Sequence, residues 1–505
     1  MLRREFLRRS LAAMLSAGAL AGLETLAAHA VAGEATPASG RALRRLAAEL
    51  SGPLIVPSSA SYDAARRVFN TRFDRIFPAA IAYCTNAPDV QACLRWARRE
   101  RVPIAVRNGG HSAAGYSTTH GLIIDVSRMN HVSADVAAGR VIIGAGALQG
   151  AIYPSLVRRG LTIPGGTCPG VGISGLTLGG GVGYLTNLLG TASDSLLGVD
   201  LVTAEGRLVR CDDRRLPALF WALRGAGGGN LGVVTALVFR PFPVHRATVA
   251  VLEWDLRDAR RLVDAWQRWA METGDRLSTT CEASTHATAS SAQAATITVS
   301  VQFAGSEGDL TRVLEPLIRA TAARPRRRLV RDAPYAEVVA FWLSREAPAS
   351  ERATVKNKTH FANGPLPPDA TDALVGALES RQAADMLTSP GGFWIQALGG
   401  RYARVGKETT AFVHRDARIL IQYLTKWKPT DSNVVVRENL RWIDALYTAM
   451  RPFVSGGAYQ NFMDPDLRTW PRAYYGANLE RLVRIKRAVD PTNLFRFAQS
   501  IPTRM

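Results

Sequence analysis

Five cysteines and eight histidines are few for a chain of 505 residues. That count excludes a disulfide-framed scaffold, and no His/Cys spacing matches a usual zinc site, so no metal is expected. Acidic side chains are also scarce, 42 against 62 basic ones, which gives a formal net charge of +20. The excess is arginine-rich and scattered, with one knot at Arg324 to Arg331 (RPRRRLVR). No nucleic-acid recognition motif accompanies it, so no nucleic-acid partner is expected. A solvated basic face, with electrostatic attraction to acidic surfaces, accounts for the charge. Beyond the first thirty residues there is no long apolar run, which excludes a stable membrane span. Internal repeats are missing too, which excludes solenoids and propellers. What remains is 47% hydrophobic and 21% charged, a globular composition, and too long for one ordinary core.

The chain opens MLRREFLRRSLAAMLSAGALAGLETLAAHAVAGEA. Arg3 and Arg4 precede Phe6-Leu7, and Arg8-Arg9 lead into a weakly apolar, Ala-rich run ending in small residues at Ala28-His29-Ala30 and Ala30-Val31-Ala32. Residues 1–32 therefore read as an export signal and are set apart from the fold. The paired arginines resemble a twin-arginine signal, which implies a secreted or periplasmic protein exported already folded.

Residues 40–245 read as glycine-rich, mixed α and β. Asn86 to Glu100 has helical periodicity with Val90, Cys93, Leu94 and Ala97 on one face, which makes Cys93 a packing residue; Cys84, just before it, is expected to be buried too. Ile104–Val106, Leu122–Val126, Val141–Ile143 and Gly232–Phe239 read as strands, and Gly198–Thr203 with Arg207–Val209 as a hairpin. The character changes after Pro241-Phe242-Pro243. In 246–455, strand patterns at Ala247–Leu252, Ala295–Val301, Phe393–Leu398 and Ile419–Leu424 alternate with helical ones at Ala259–Glu272, Leu310–Ala323 and Ala370–Ser380. This is the pattern of an antiparallel sheet covered on one side by helices. Residues 456–505 close with a helix carrying Leu479, Leu482, Val483 and Ile485 on its apolar face.

Four glycine loops stand out: Asn108-Gly109-Gly110, Gly165 to Gly175, Gly179 to Gly183, and Gly225 to Asn230. Gly170, Gly172 and Gly175 match G-x-G-x-x-G, but Pro164 and Pro169 interrupt the approach and Gly179-Gly180-Gly181 cut short the helix that a dinucleotide fold needs. Four loops through which backbone can approach a ligand closely point to a large, pyrophosphate-bearing cofactor. Two reactive side chains lie in them, His111 directly after Gly109-Gly110 and Cys168 in IPGGTCPGVGISG. On its own terms Cys168 is open to several readings: a packed thiol, a disulfide to Cys211, a metal ligand, a nucleophile beside a histidine, or an anchor for a bound group.

RVPIAVRNGGHSAAGYS, GGTCPGVGISGLTLGGGVG, DSLLGVDLVTAEGRLV and GGGNLGVVTALVF occur in an order that resembles the FAD-linked oxidases of the berberine bridge enzyme-like family. The closing YYGANLERLVRIKRAVDPTNLFRFAQSIP resembles that family's last segment. The resemblance covers residues 75–245 and 410–505. It implies an α+β fold: a two-part FAD-binding domain of the PCMH or vanillyl-alcohol oxidase type, with an inserted substrate domain of antiparallel sheet covered by helices. It further implies bicovalent FAD, held through His111 at the flavin 8α-methyl and through Cys168 at C6 (6-S-cysteinyl). Arg107, Asn108, Gly109, Gly110, Ser112, Gly172, Gly175, Asn230, Val234, Tyr474 and Asn478 are placed by the same resemblance around the cofactor.

The bases used by such relatives have no plain counterpart. A tyrosine in an Asn-Tyr-x-Asp-like stretch falls at Phe462, a second in G-G-G-Y-G falls at Val182, and a glutamate falls near Leu420. Tyr459, Tyr475, Gln422 and Gln396 remain as catalytic candidates, the phenols needing a large shift from their usual value near pH 10 to act as bases. The activity implied is hydride transfer from an alcohol or amine carbon of a carbohydrate or small natural product to the flavin, with dioxygen reduced to hydrogen peroxide. A dehydrogenase with another acceptor, and a flavin-binding protein without turnover, are the alternatives.

Overall fold

A computed structural model describes residues 39–285, 295–346, 348, 350–384 and 389–504. Residues 1–32, expected from the sequence to be an export signal, lie outside the described residues. The chain begins its first sheet with β1 (Leu54–Ile55), β2 (Ala80–Tyr83), β3 (Ile104–Arg107) and β4 (Leu122–Asp125), ordered β1-β2-β4-β3. β4 runs parallel to both β2 and β3. A parallel arrangement needs a crossover, and the helix Ala87–Glu100 supplies it. Asn86 caps that helix by accepting from Asp89 N at 2.9 Å. Val90, Cys93, Leu94 and Ala97 are all buried, as their spacing predicts. Cys93 Sγ lies 3.9 Å from Cys84 Sγ, and both are free thiols.

The second sheet holds β5 (Val132–Asp135) and β6 (Arg140–Gly144). After the short β7 (Leu161–Thr162) come its remaining strands, β8 (Leu196–Val202), β9 (Leu208–Cys211) and β10 (Val233–Phe239), in the order β5-β6-β10-β8-β9. β8 and β9 are the expected hairpin, with Val202 opposite Leu208. β7 pairs with β11 (Phe242–Pro243). Leu479, Leu482, Val483 and Ile485 of the closing helix Leu479–Val489 enter the same core as Phe220, Val234 and Leu237. The last fifty residues therefore pack back onto the first half.

Between them stands a seven-stranded antiparallel sheet. Its strands are β12 (Arg246–Asp255), β13 (Leu277–Ser284), β14 (Thr296–Phe303), β15 (Arg327–Pro334), β16 (Thr354–Ala362), β17 (Gly391–Ala397) and β18 (Ile419–Trp427), ordered β15-β12-β14-β13-β17-β18-β16. Alternate residues such as Leu252, Val299, Ile395 and Ile421 face the helices Ala259–Glu272, Glu307–Ala320, Pro368–Gln382 and Asn433–Met450. The opposite face carries Thr280, Glu282, Trp394, Gln396, Leu420, Gln422 and Thr359, and turns toward the glycine loops. One helix departs from the one-sided cover. Tyr335–Arg345 packs on this second face, with Tyr335, Val338 and Trp342 against Val249 and Val251.

The basic knot of the sequence proves to be the edge strand β15. Arg326 pairs with Asp255 at 3.2 Å, Arg327 with Glu253 at 3.3 Å, and Arg331 with Glu337. Charge on an edge strand discourages pairing with another chain. No helix among the described residues is long and apolar enough to cross a membrane.

Candidate active site

The strand β3 ends by delivering Arg107, Asn108, Gly109 and Gly110 into the space between the first two sheets. Arg107 Nε donates to Asp125 Oδ2 at 2.5 Å, and both residues are buried. Asn108 reaches into the cysteine loop. Its Nδ2 donates to Ala145 O at 2.5 Å and to Ser174 Oγ at 3.2 Å. A Cβ on Gly172 would lie 2.3 Å from Asn108 Cγ, and one on Gly109 would lie 2.6 Å from the Gly170 carbonyl oxygen. Only glycine permits this approach, so the two loops are locked together. Gly110 takes φ +65, and its carbonyl accepts from Phe69 N at 3.1 Å. Gly175 is exposed, and a Cβ there would meet nothing within 4 Å. Ser112 Oγ accepts from Tyr116 N at 3.2 Å.

Unpaired polar atoms gather in these loops and next to them. Arg107 Nη1, Asn108 Oδ1, Tyr116 Oη, Ser117 Oγ, Thr118 Oγ1 and Thr177 Oγ1 are buried with no hydrogen-bond partner. Each such atom costs about 1–3 kcal/mol unless something satisfies it. A phosphate- and ribose-bearing ligand offers the matching donors and acceptors, so the residues fit FAD. A cavity of about 270 Å3 opens beside Arg107, Gly110, His111, Phe69 and Arg352.

His111 stacks on Phe69 with ring centroids 4.0 Å apart. Burial lowers its pKa and favours the neutral, nucleophilic imidazole. Cys168 lies against Glu346, its Sγ 3.3 Å from Oε2, rather than against Cys211, which is a free thiol buried at the end of β9.

The remaining residues divide by what they hold. Asn230 Nδ2 donates to Ala226 O at 2.9 Å, while its Oδ1 accepts from Ile501 N at 2.8 Å. Asn478 Nδ2 donates to Lys407 O at 3.0 Å. Tyr475 is fully buried and donates to Ala226 O at 2.8 Å; Tyr474 Oη accepts from Asp464 N at 3.0 Å. Asn230 and Tyr475 bind the closing segment to the glycine loop at Gly225 to Asn230, Asn478 ties it to the stretch at Lys407, and Tyr474 holds the closing segment to itself. Val234 is a core residue of β10. Tyr459 is also enclosed, between Phe361, Phe412 and Phe462. Its oxygen accepts from Gly181 N at 3.0 Å and Asn461 Nδ2 at 2.8 Å, yet burial pushes the phenol up to about 12. Gln396 is 1% exposed; its Nε2 donates to Gly183 O at 3.0 Å and its Oε1 is unpaired. Gln422 is partly buried opposite Trp394 and makes no hydrogen bond among the described residues. Val182, Leu420 and Phe462 share one apolar cluster and offer no base.

Two carboxylates complete the site, Glu346 against Cys168 and Glu282 on the sheet. Glu282 is opposite Trp394 on the loop-facing side of the sheet, and its carboxylate makes no hydrogen bond or ion pair among the described residues. Burial raises its pKa, Glu346 adds to the effect, and Arg345 opposes it. Both carboxylates also raise the phenol of Tyr184, which is held up first by burial. The run Leu277–Ser284 (LSTTCEAS) has too little apolar alternation to read as a strand, and Glu346 follows a helix the sequence did not mark. Both residues were therefore missed.

This arrangement, glycine loops with unsatisfied polar atoms facing a seven-stranded sheet that bears ionisable side chains, defines a flavin-dependent oxidoreductase. The model of the FAD binding domain matches residues 78–212, and that of berberine and berberine-like proteins matches residues 458–502. The FAD-linked oxidoreductase YgaK of Bacillus subtilis is 36% identical over 459 residues, covering 90% of this chain and 97% of the relative. (R)-6-hydroxynicotine oxidase of Paenarthrobacter nicotinovorans is 40% identical over 209 residues, 41% of this chain and 45% of that one. Among solved structures, BBE-like 1 of Physcomitrella patens superposes with a TM-score of 0.83 at 27% identity, covering 92% of this chain and 99% of that chain. The chain belongs to the berberine bridge enzyme-like family of FAD-linked oxidoreductases. It is an enzyme that binds FAD and acts on a small organic substrate.

Proposed function

We propose that the protein is an exported oxidase whose FAD is attached twice, through His111 at the 8α-methyl and through Cys168 at C6. It oxidises an alcohol or amine carbon of a carbohydrate or small natural product and passes the electrons to dioxygen, yielding hydrogen peroxide. The observation that carries this reading is the set of buried, unpaired polar atoms in and beside the loops that hold His111 and Cys168. FAD supplies the hydride acceptor; the protein supplies position and a proton acceptor. Arg107, Asn108 and the loop glycines hold the cofactor, and Asn230 and Tyr475 brace the loop at Gly225 to Asn230 from behind.

The proton acceptor is Glu282. It is the unpaired carboxylate on the sheet face turned toward the loops, where Leu420 and Phe462 are apolar and Tyr459 is locked by its donors. A carboxyl raised above its ordinary range takes a substrate proton more readily at neutral pH. Gln422 and Trp394 lie beside it to orient the substrate. The leading Arg3-Arg4 and the distributed basic charge support folded export and attraction to acidic surfaces.

Acid denaturation followed by desalting tests the attachment: yellow colour must stay with the chain, and Cys168→Ala must keep the flavin through His111 while shifting its absorbance. Colour lost from the wild-type chain refutes the double linkage. Anaerobic bleaching against sugars, hydroxylated aromatics and amines tests the activity. Reoxidation by oxygen that is very slow assigns the protein to the dehydrogenases instead.

A further inference from the structure

Glu346 belongs to the inserted part of the chain, directly after the helix Tyr335–Arg345, and Cys168 to the glycine loop 178 residues earlier. Their contact, Cys168 Sγ donating to Glu346 Oε2 at 3.3 Å, crosses from one half of the molecule to the other. Among the described residues it is the only carboxylate that forms a hydrogen bond with this thiol. Asn108 Oδ1, in the loop after β3, and Thr177 Oγ1, in the helix Ile173–Leu178 that follows the cysteine loop, are buried and unpaired, which marks the space beside these segments as a ligand site. Burial pushes the thiol up to about 12; Glu346 adds to that, while the Thr167 hydroxyl and Lys426 oppose it. The thiolate is the nucleophilic form, so an unassisted Cys168 is nearly inert at neutral pH. A proton acceptor already in contact removes that obstacle.

We propose that Glu346 is the general base that activates Cys168 for attachment to the flavin. The inference rests on the reading that Cys168 carries the cofactor, and it assigns a residue to the making of that bond. The sulfur forms its bond to flavin C6 as the S–H proton passes to Glu346 Oε2. The hydrogen on C6 leaves as a proton, and the two electrons delivered by the thiol are removed by dioxygen. In total, thiol, ring C–H and dioxygen give thioether and hydrogen peroxide, and Glu346 then releases its proton to solvent. The charged and titratable groups around the pair are Arg345, Lys426, Glu282, Tyr184 and Tyr153. None of them forms a hydrogen bond with the sulfur.

The full-length protein decides this without any substrate. Wild type, Glu346→Gln and Glu346→Asp are purified with their flavin, unfolded in acid, digested, and the Cys168 and His111 peptides weighed by mass spectrometry beside a free-thiol count. The expected result is a flavin bridging both peptides in wild type. In Glu346→Gln the His111 link persists, and the fraction of Cys168 joined falls at least tenfold. Glu346→Asp lies between. Aerobic incubation of the singly linked Glu346→Gln protein at pH 10 should close the second bond faster than at pH 7, because solvent then supplies the base. A Glu346→Gln protein joined as completely as wild type overturns the proposal. So does a loss that neither high pH nor aspartate relieves, because it marks a purely structural contact. Should Glu346→Gln not fold, a Glu346→Asp protein joined at the wild-type rate at every pH overturns it equally. Free Cys168 in wild type itself removes the double linkage and this inference with it, a result distinct from the others.

Discussion

The side-chain amide of Gln396 donates to the carbonyl of Gly183 at 3.0 Å, joining the centre of the seven-stranded sheet to a glycine loop. Gln396 is 1% exposed, and its removal takes one of two donors from the Gly183 carbonyl, which also accepts from Thr186 N at 3.2 Å. Gln396→Ala should lower stability by about 0.5–1.5 kcal/mol, the net worth of one hydrogen bond, measured by urea unfolding of the purified protein. A midpoint unchanged from wild type would show that the contact holds nothing in place.

Glu282→Gln should slow anaerobic flavin bleaching by about 100-fold or more with the best substrate found. The carboxylate is the active form, so the wild-type bleaching rate should rise with pH through the raised value of Glu282 and then level. Burial raises that value, Glu346 adds to it and Arg345 opposes it. Stopped-flow absorbance across pH checks both points; a variant that keeps the wild-type rate removes Glu282 from the chemistry.

Asp464 is buried and accepts from Lys358 Nζ at 2.7 Å and also from Lys356. Burial alone would raise its pKa, but the two lysines hold it below the ordinary value. Its folded value is depressed, so its stabilising contribution is complete above the unfolded carboxyl range near pH 4 and is lost as pH falls through the folded value. Asp464→Asn should therefore be less stable than wild type at pH 7, and the gap should narrow in strong acid. Thermal melting from pH 7 to pH 2 reads this directly. A constant gap would contradict it.

Lys486 donates to Asp490 Oδ2 at 2.7 Å, to Asn230 O at 2.8 Å and to Phe495 O at 2.7 Å; Lys486 and Asp490 are both 0% exposed. Lys486→Met leaves a buried carboxylate unpaired and frees the loop carbonyl of Asn230. The expected cost is about 3–5 kcal/mol, seen in urea unfolding, and a loss under 1 kcal/mol would show that the pair is dispensable.

Much of the first half was legible because its signals are local. The period of Val90, Cys93, Leu94 and Ala97 places a helix, and glycine loops with no other purpose announce a large ligand. The inserted sheet was half legible. Strands β13, β15 and β16 escaped because Thr, Arg and Lys fill positions that a strand pattern reserves for apolar groups. In β16 every residue is nonetheless buried, including Lys356 and Lys358, because acids some hundred residues later in sequence neutralise them. The same distance hides the site's carboxylates. Nothing within a short window tells Glu282 or Glu346 from a surface glutamate; only the tertiary fold buries Glu282 on the loop-facing side of the sheet and brings Glu346 against Cys168.

The residue touching Cys168 arrives late in the chain, from a part that must first build its own sheet. If the second tether closes only when that carboxylate is in place, the bond becomes a record of completed assembly. A half-folded molecule would carry its pigment by one thread, and counting threads would sort finished molecules from unfinished ones.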